Sequence, residues 1–144
     1  MFKNVILSTP TLAIKTGSSA LVKHAAFQYL ANGVLKVKTA GDAPALSGSI
    51  ADDYKMVCAL YITAGGTLSW DYSDAIALAD DIKVNEVITQ KRQLRGTEGL
   101  LVGFVVIINE TGSAFTLGTT ALDVANSTVY YYNAFWLTKQ TETL

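Results

Sequence analysis

Phe27-Gln28-Tyr29-Leu30-Ala31-Asn32-Gly33-Val34-Leu35-Lys36-Val37-Lys38 reads as a β-hairpin closed by Asn32-Gly33. Both residues of that pair accept positive φ, which the tight twist of a two-residue loop requires. So short a loop fixes the register. Tyr29 faces Lys36 and Phe27 faces Lys38 on one side, and Leu30 faces Leu35 on the other. Lysine stems can lie across aromatic rings and keep them soluble, so the Leu30–Leu35 side is expected to face the core.

Moving outward, Asp42, Pro44, Ser47 and Gly48 mark a loop. A second hairpin follows, with Tyr54 to Thr63 and Leu68 to Ser73 on either side of Gly65-Gly66. With that glycine pair as the turn, Tyr61 sits opposite Trp70, an aromatic pair able to hold register. Leu100 to Asn109 is apolar on both alternating faces: Leu100, Val102, Phe104, Val106 and Ile108 on one, Leu101, Val105 and Ile107 on the other. Thr128 to Thr138 repeats this, with Tyr130, Tyr132 and Trp136 against Val129, Tyr131 and Phe135. Antiparallel sheets usually keep one face wet, so these strands must be covered twice, by a second layer or by another subunit. Between the strands, Asp80 and Asp81 precede an apolar series, and Lys91, Arg92 and Arg95 stand just before Gly96. That punctuation predicts a helix from about Ile82 to Arg95. Residues 1–26, broken by Pro10 and Gly17-Ser18-Ser19, show no sustained period and read as an extended N-terminal arm. Residues 27–144 read as a β-rich domain. The expected fold is mainly β: an antiparallel sandwich or barrel-like domain with hairpins and one short helix.

Composition excludes much chemistry. Of 144 residues 50% are hydrophobic and only 16% charged, against about 25% charged in an ordinary soluble domain. Too few charges remain to solvate the surface of a chain this apolar, which points to burial against other chains. Net charge −1 gives no electrostatic case for nucleic acid or anionic lipid. The longest apolar run, Leu100 to Ile108, falls well short of the ~20 residues of a membrane span, and the N-terminal apolar patch is too short for a signal peptide. His24 is the sole histidine and Cys58 the sole cysteine, so no zinc set of those types can form within one chain. His24 is expected to pack in a loop and Cys58 in the core. Asp52-Asp53 and Asp80-Asp81 read as loop and capping acids, and the Lys91, Arg92 and Arg95 cluster as a solvated helix end. The sequons at Asn109 and Asn126 read as turn chemistry. Neither a cofactor nor a catalytic constellation is expected.

Ala114-Phe115-Thr116-Leu117-Gly118-Thr119-Thr120-Ala121-Leu122-Asp123 resembles the Phe-x-x-Gly-Thr-Thr-x-Leu-Asp segment of small tailed-bacteriophage virion proteins of the capsid decoration, cement or head-fibre type. Weaker matches follow in order: Leu12-Ala13-Ile14, Phe27 to Gly33, Ala45 to Gly48, Ala64 to Leu68 and Val102 to Ile107. The charged segment Lys83 to Arg95 departs from the pattern. The resemblance implies a structural protein made in the host bacterial cytoplasm and placed on the outer surface of the virion capsid. There it would bridge subunits of the major capsid protein as a homotrimer, with no catalytic residue, no nucleic acid and no membrane. Tyr130, Tyr132, Trp136, Leu12 and Ile14 are the expected oligomer or capsid contacts. The alternative is a virion-associated module binding host surface glycan through Trp70, Trp136 and the tyrosines, provided those rings share one groove.

Overall fold

The computed structural model describes residues 4–80, 83–88 and 99–134. They form a mainly β, sandwich-like body in which every strand pair is antiparallel, with one short helix. The strands in chain order are β1 (Val5–Ile6), β2 (Ala13–Ile14), β3 (Val22–His24), β4 (Phe27–Ala31), β5 (Val34–Lys38), β6 (Gly41–Asp42), β7 (Ser49–Ile50), β8 (Tyr54–Ile62), β9 (Leu68–Tyr72), β10 (Ile76–Ala77), β11 (Leu100–Asn109), β12 (Phe115–Thr116) and β13 (Ser127–Asn133). Helix α1 spans 83–88. The large sheet runs β10-β8-β11-β13, with β9 also on β8. Facing it are the small sheets β1-β4-β5, β2-β3-β6 and β7-β12.

The expected double covering is found for Leu100–Asn109, and not for the described part of the last strand, whose Tyr130 and Tyr132 stay exposed. One face of the large sheet (Met56, Cys58, Leu60, Ile62, Val102, Val105, Ile107) packs against Ile6, Leu12, Val22, Phe27, Tyr29, Ile50 and Phe115 from the small sheets and loops. The other face (Val57, Ala59, Tyr61, Phe104, Val106) is met by Ile76 and by Val84, Val87 and Ile88 of α1. The Oδ1 of Asp80 accepts the Lys83 N–H at 3.2 Å, a helix N-cap. The remainder of the predicted helix lies outside the described residues.

Strict alternation fails in β11. Its register against β8 shifts between Leu101 and Gly103, so Leu100 and Val102 share a face with Val105 and Ile107, while Leu101 joins Phe104 and Val106. Such a bulge adds one residue and swaps the faces beyond it. Only glycine fits there: a Cβ on Gly103 would lie 2.2 Å from the Tyr132 carbonyl oxygen and 2.7 Å from Leu12 Cδ1.

The first hairpin has the expected pairs, Phe27↔Lys38, Tyr29↔Lys36 and Leu30↔Leu35, and positive φ at Asn32 and Gly33. The core face is the other one. Phe27 and Tyr29 are buried, while Leu35 and Val37 are 59% and 60% exposed. Lys36 and Lys38, paired opposite those rings, donate to the Ala64 and Gly66 carbonyls in the turn of the second hairpin, Lys38 at 2.8 Å. The charged tips thus find acceptors above a buried aromatic face.

The second hairpin is one residue out of the expected register. Leu60 faces Trp70 and Tyr61 faces Ser69. The Thr63 N–H donates to the Thr67 carbonyl, so the loop holds Ala64, Gly65 and Gly66, with Gly66 at φ +89°. Three-residue hairpin loops commonly take this form. Tyr61 is thereby placed under α1 and Trp70 on the opposite face of the sheet.

The arm expected over 1–26 belongs instead to the body wherever it is described. β1 pairs with β4, β2 with β3, and Ile6, Leu12 and Val22 are buried in the main core. Pieces of two or three residues carry too little sequence to show a period, and β1 finds its partner only at β4. Leu12→Ala is therefore expected to cost about 2–5 kcal/mol of stability, read as a lower midpoint in urea denaturation. A loss below about 1 kcal/mol would restore the free-arm reading.

Candidate functional site

The Phe-x-x-Gly-Thr-Thr-x-Leu-Asp segment is a structural clamp. Phe115, Leu117 and Leu122 are buried. Gly118 takes φ +77°, and a Cβ there would meet the Leu46 carbonyl oxygen at 2.2 Å. The Leu122 N–H donates to Ser19 O at 2.9 Å. The Asp123 carboxylate accepts the Ser18 N–H at 2.9 and 3.1 Å. The motif thus ties the early chain to the loop before β7. Its buried side chains and backbone contacts hold the fold together.

His24, Asp52 and Asp80 each have an intramolecular hydrogen-bond partner. Buried His24 packs edge-on against Phe27, and its Nδ1 lies 3.0 Å from the Ala25 carbonyl oxygen. A carbonyl only accepts, so Nδ1 carries the proton. Asp52 Oδ1 accepts the Gly112 N–H at 2.8 Å, and Asp80 caps α1. Among the described residues no group of three His, Cys, Asp or Glu side chains could hold a metal ion. A cleft of about 380 Å³ lies between the segment 72–76 and α1, with Asp74, Lys83 and Glu86 in its wall. The hydroxyl of Ser73, which also lines it, is already committed to the Val57 N–H and the Asp74 carbonyl.

The Asn109 sequon is turn chemistry, as read. Its buried amide donates to Ile50 O at 2.9 Å and Ser113 O at 2.7 Å, and its Oδ1 accepts from the Thr111 N–H and hydroxyl. No donor of that amide is left for a glycan.

The candidate contacts separate. Tyr130 and Tyr132 stand on edge strand β13, 49% and 46% exposed, ring centroids 6.4 Å apart. Leu12 is a core residue, which removes it as a contact, and Ile14 is half-buried against the core. Trp136, with Lys91, Arg92 and Arg95, lies outside the described residues. Trp70 donates its indole N–H to Pro44 O at 2.7 Å, and the Tyr72 hydroxyl accepts the Ser47 N–H at 3.0 Å. These two rings, and Tyr131, pack on the main-core side of the large sheet, opposite Tyr130 and Tyr132. Among the described residues, Trp70, Tyr72 and Tyr131 therefore share no groove with Tyr130 and Tyr132.

Sequence reasoning missed the outward face of β1-β4-β5. There Val5, Leu30 and Leu35 form one row across the sheet, and Leu7, Gln28 and Val37 the next. Among the described residues none on this face is charged, and Leu7, Leu35 and Val37 are exposed. The available signal was Lys36 alternating with Leu35 and Val37, which allows either side to be the outer one.

No protein-family model, curated protein or solved structure matches the chain.

Burial pushes the Cys58 thiol up to about 12. The reactive thiolate is then nearly absent at pH 8. Native protein is expected to resist a maleimide there while denatured protein labels fully, as checked by mass spectrometry. Rapid native labelling would mean that β8 opens readily.

Proposed function

We propose that the chain is a structural virion protein that decorates and stabilises a bacteriophage capsid. It would do so on the outer surface of the shell, bridging neighbouring subunits of the major capsid protein as a homo-oligomer. The observation that carries the reading is the uncharged outward face of β1-β4-β5, with exposed Leu7, Leu35 and Val37 around Gln28. Contiguous apolar surface of this kind marks an interaction site. The resemblance to decoration proteins supplies the partner.

Covering about 400 Å² of such surface contributes on the order of 10 kcal/mol before association costs. Binding only the assembled shell shifts the assembly equilibrium towards it by mass action. Cement function needs no catalysis, which agrees with side chains that are spent on holding turns and caps.

Lys36 and Lys38 point away from this face, onto the turn of the second hairpin, so few ion pairs can cross the contact. Occupancy on purified capsids of the encoding phage should change little between about 50 and 500 mM NaCl, a range over which screening tightens strongly. A Leu35→Asp, Val37→Asp double variant should keep the wild-type melting temperature and lose at least about tenfold in capsid affinity, since two charges would be buried unpaired. Co-sedimentation with shells measures both. Steep release by salt, or full binding by the double variant, would show that another surface makes the contact.

A further inference from the structure

We propose that two copies of the chain pair through the free edge of β13, antiparallel about a two-fold axis through Tyr130. This rests on the homo-oligomer part of the proposed function and is independent of the shell.

β13 ends the order of the large sheet and, among the described residues, pairs on one side only. Two hydrogen bonds fix which of its backbone groups face outward. At one end the Ala134 N–H donates to Val102 O, and at the other the Glu110 N–H donates to Asn126 O, each at 3.0 Å. Both continue the Gly103↔Asn133 to Asn109↔Ser127 register. In an antiparallel ladder, bonded and non-bonded pairs alternate. Even-numbered residues of β13 therefore aim their amides at β11, and Val129, Tyr131 and Asn133 aim theirs outward. Ser127 offers its carbonyl there, because its N–H is used by Val124 O at 3.2 Å.

Proteins guard such edges with lysine, proline or very short strands. β5, the edge of a small sheet, carries Lys36 and Lys38, and β10 has two residues. β13 has seven residues, Ser-Thr-Val-Tyr-Tyr-Tyr-Asn, with no charge and no proline. An edge of that length is filled by a strand, and this strand complements itself. With Tyr130 on the axis, Val129 of one copy lies opposite Tyr131 of the other, and Ser127 opposite Asn133. Every outward N–H then finds a carbonyl, only the Asn133 carbonyl opposite the engaged Ser127 N–H lacks a donor, and no like charges meet. The exposed Tyr130 rings come side by side on the axis, as a non-bonded aromatic pair, and Tyr132 covers Thr128 of the other copy. Such an interface is isologous and closes at two copies, so it builds a dimer where the resemblance implied a trimer.

Sedimentation equilibrium of the full chain at micromolar concentration should give twice the single-chain mass. Tyr130→Lys, which sets two like charges face to face, should give the single-chain mass with an unchanged circular dichroism spectrum. Tyr130→Cys should form an intermolecular disulfide on mild oxidation, because the two copies' residues are directly opposed. Tyr132→Cys should not, because its own counterpart lies two pairs beyond the axis, outside disulfide reach. A trimeric or monomeric wild type would overturn the proposal, as would equal crosslinking by the two cysteine variants. Capsid binding that persists in a monomeric wild type would overturn this pairing alone and leave the decoration reading standing.

Discussion

The structure depends on one pair of strands, β8 and β11, which are apolar on both faces and paired along nearly their whole length. A sheet with two dry faces needs two covers. The small sheets and the early chain supply one, and α1 with Ile76 supplies the other. The bulge at Gly103 decides how the first cover fits. It brings the backbone of β13 close to β11 and leaves room for Leu12. The Leu12 N–H is then held by Asn133 Oδ1 at 3.0 Å, so the early chain, β11 and β13 lock at one point.

Local chemistry was legible in the sequence where a single turn decides the outcome. Asn32-Gly33 yielded the first hairpin to the residue, and simple alternation put Tyr130 and Tyr132 on one side of β13 and Tyr131 on the other. Legibility ended where a tertiary contact chooses between local options. Nothing within residues 27–38 says that Lys36 and Lys38 will find carbonyl acceptors in the Ala64–Gly66 turn, yet that contact turns Phe27 and Tyr29 inward and leaves Leu35 and Val37 outside. Ala64 joined the loop of the second hairpin and moved Trp70 to the other face of the sheet. A glycine within an apolar run hinted at the bulge in β11 without locating its register. β1 and β2 are too short to read without their partners.

The same contacts shape what the surface can do. Polar groups that might have formed a site are engaged inside the chain: the Asn109 amide in its turn, Asp123 on Ser18, and the Trp70 indole on Pro44. Among the described residues, the surface carries an uncharged sheet face on β1-β4-β5 and a strand edge on β13 without charge or proline. On the proposed reading one meets a partner as a surface and the other as a backbone. A chain with these two features and few charges suits a component of a symmetric assembly, held there by shape and apolar burial.

Hydrogen–deuterium exchange, comparing the chain on the capsid with the chain diluted free, tests that claim most directly. Slowed exchange in the peptides covering residues 5–7, 28–38 and 127–133 is the predicted result, since a covered face and a paired edge both exclude water. Protection confined to the cleft walls at 72–76 and 83–87, with 28–38 and 127–133 unchanged, would contradict it.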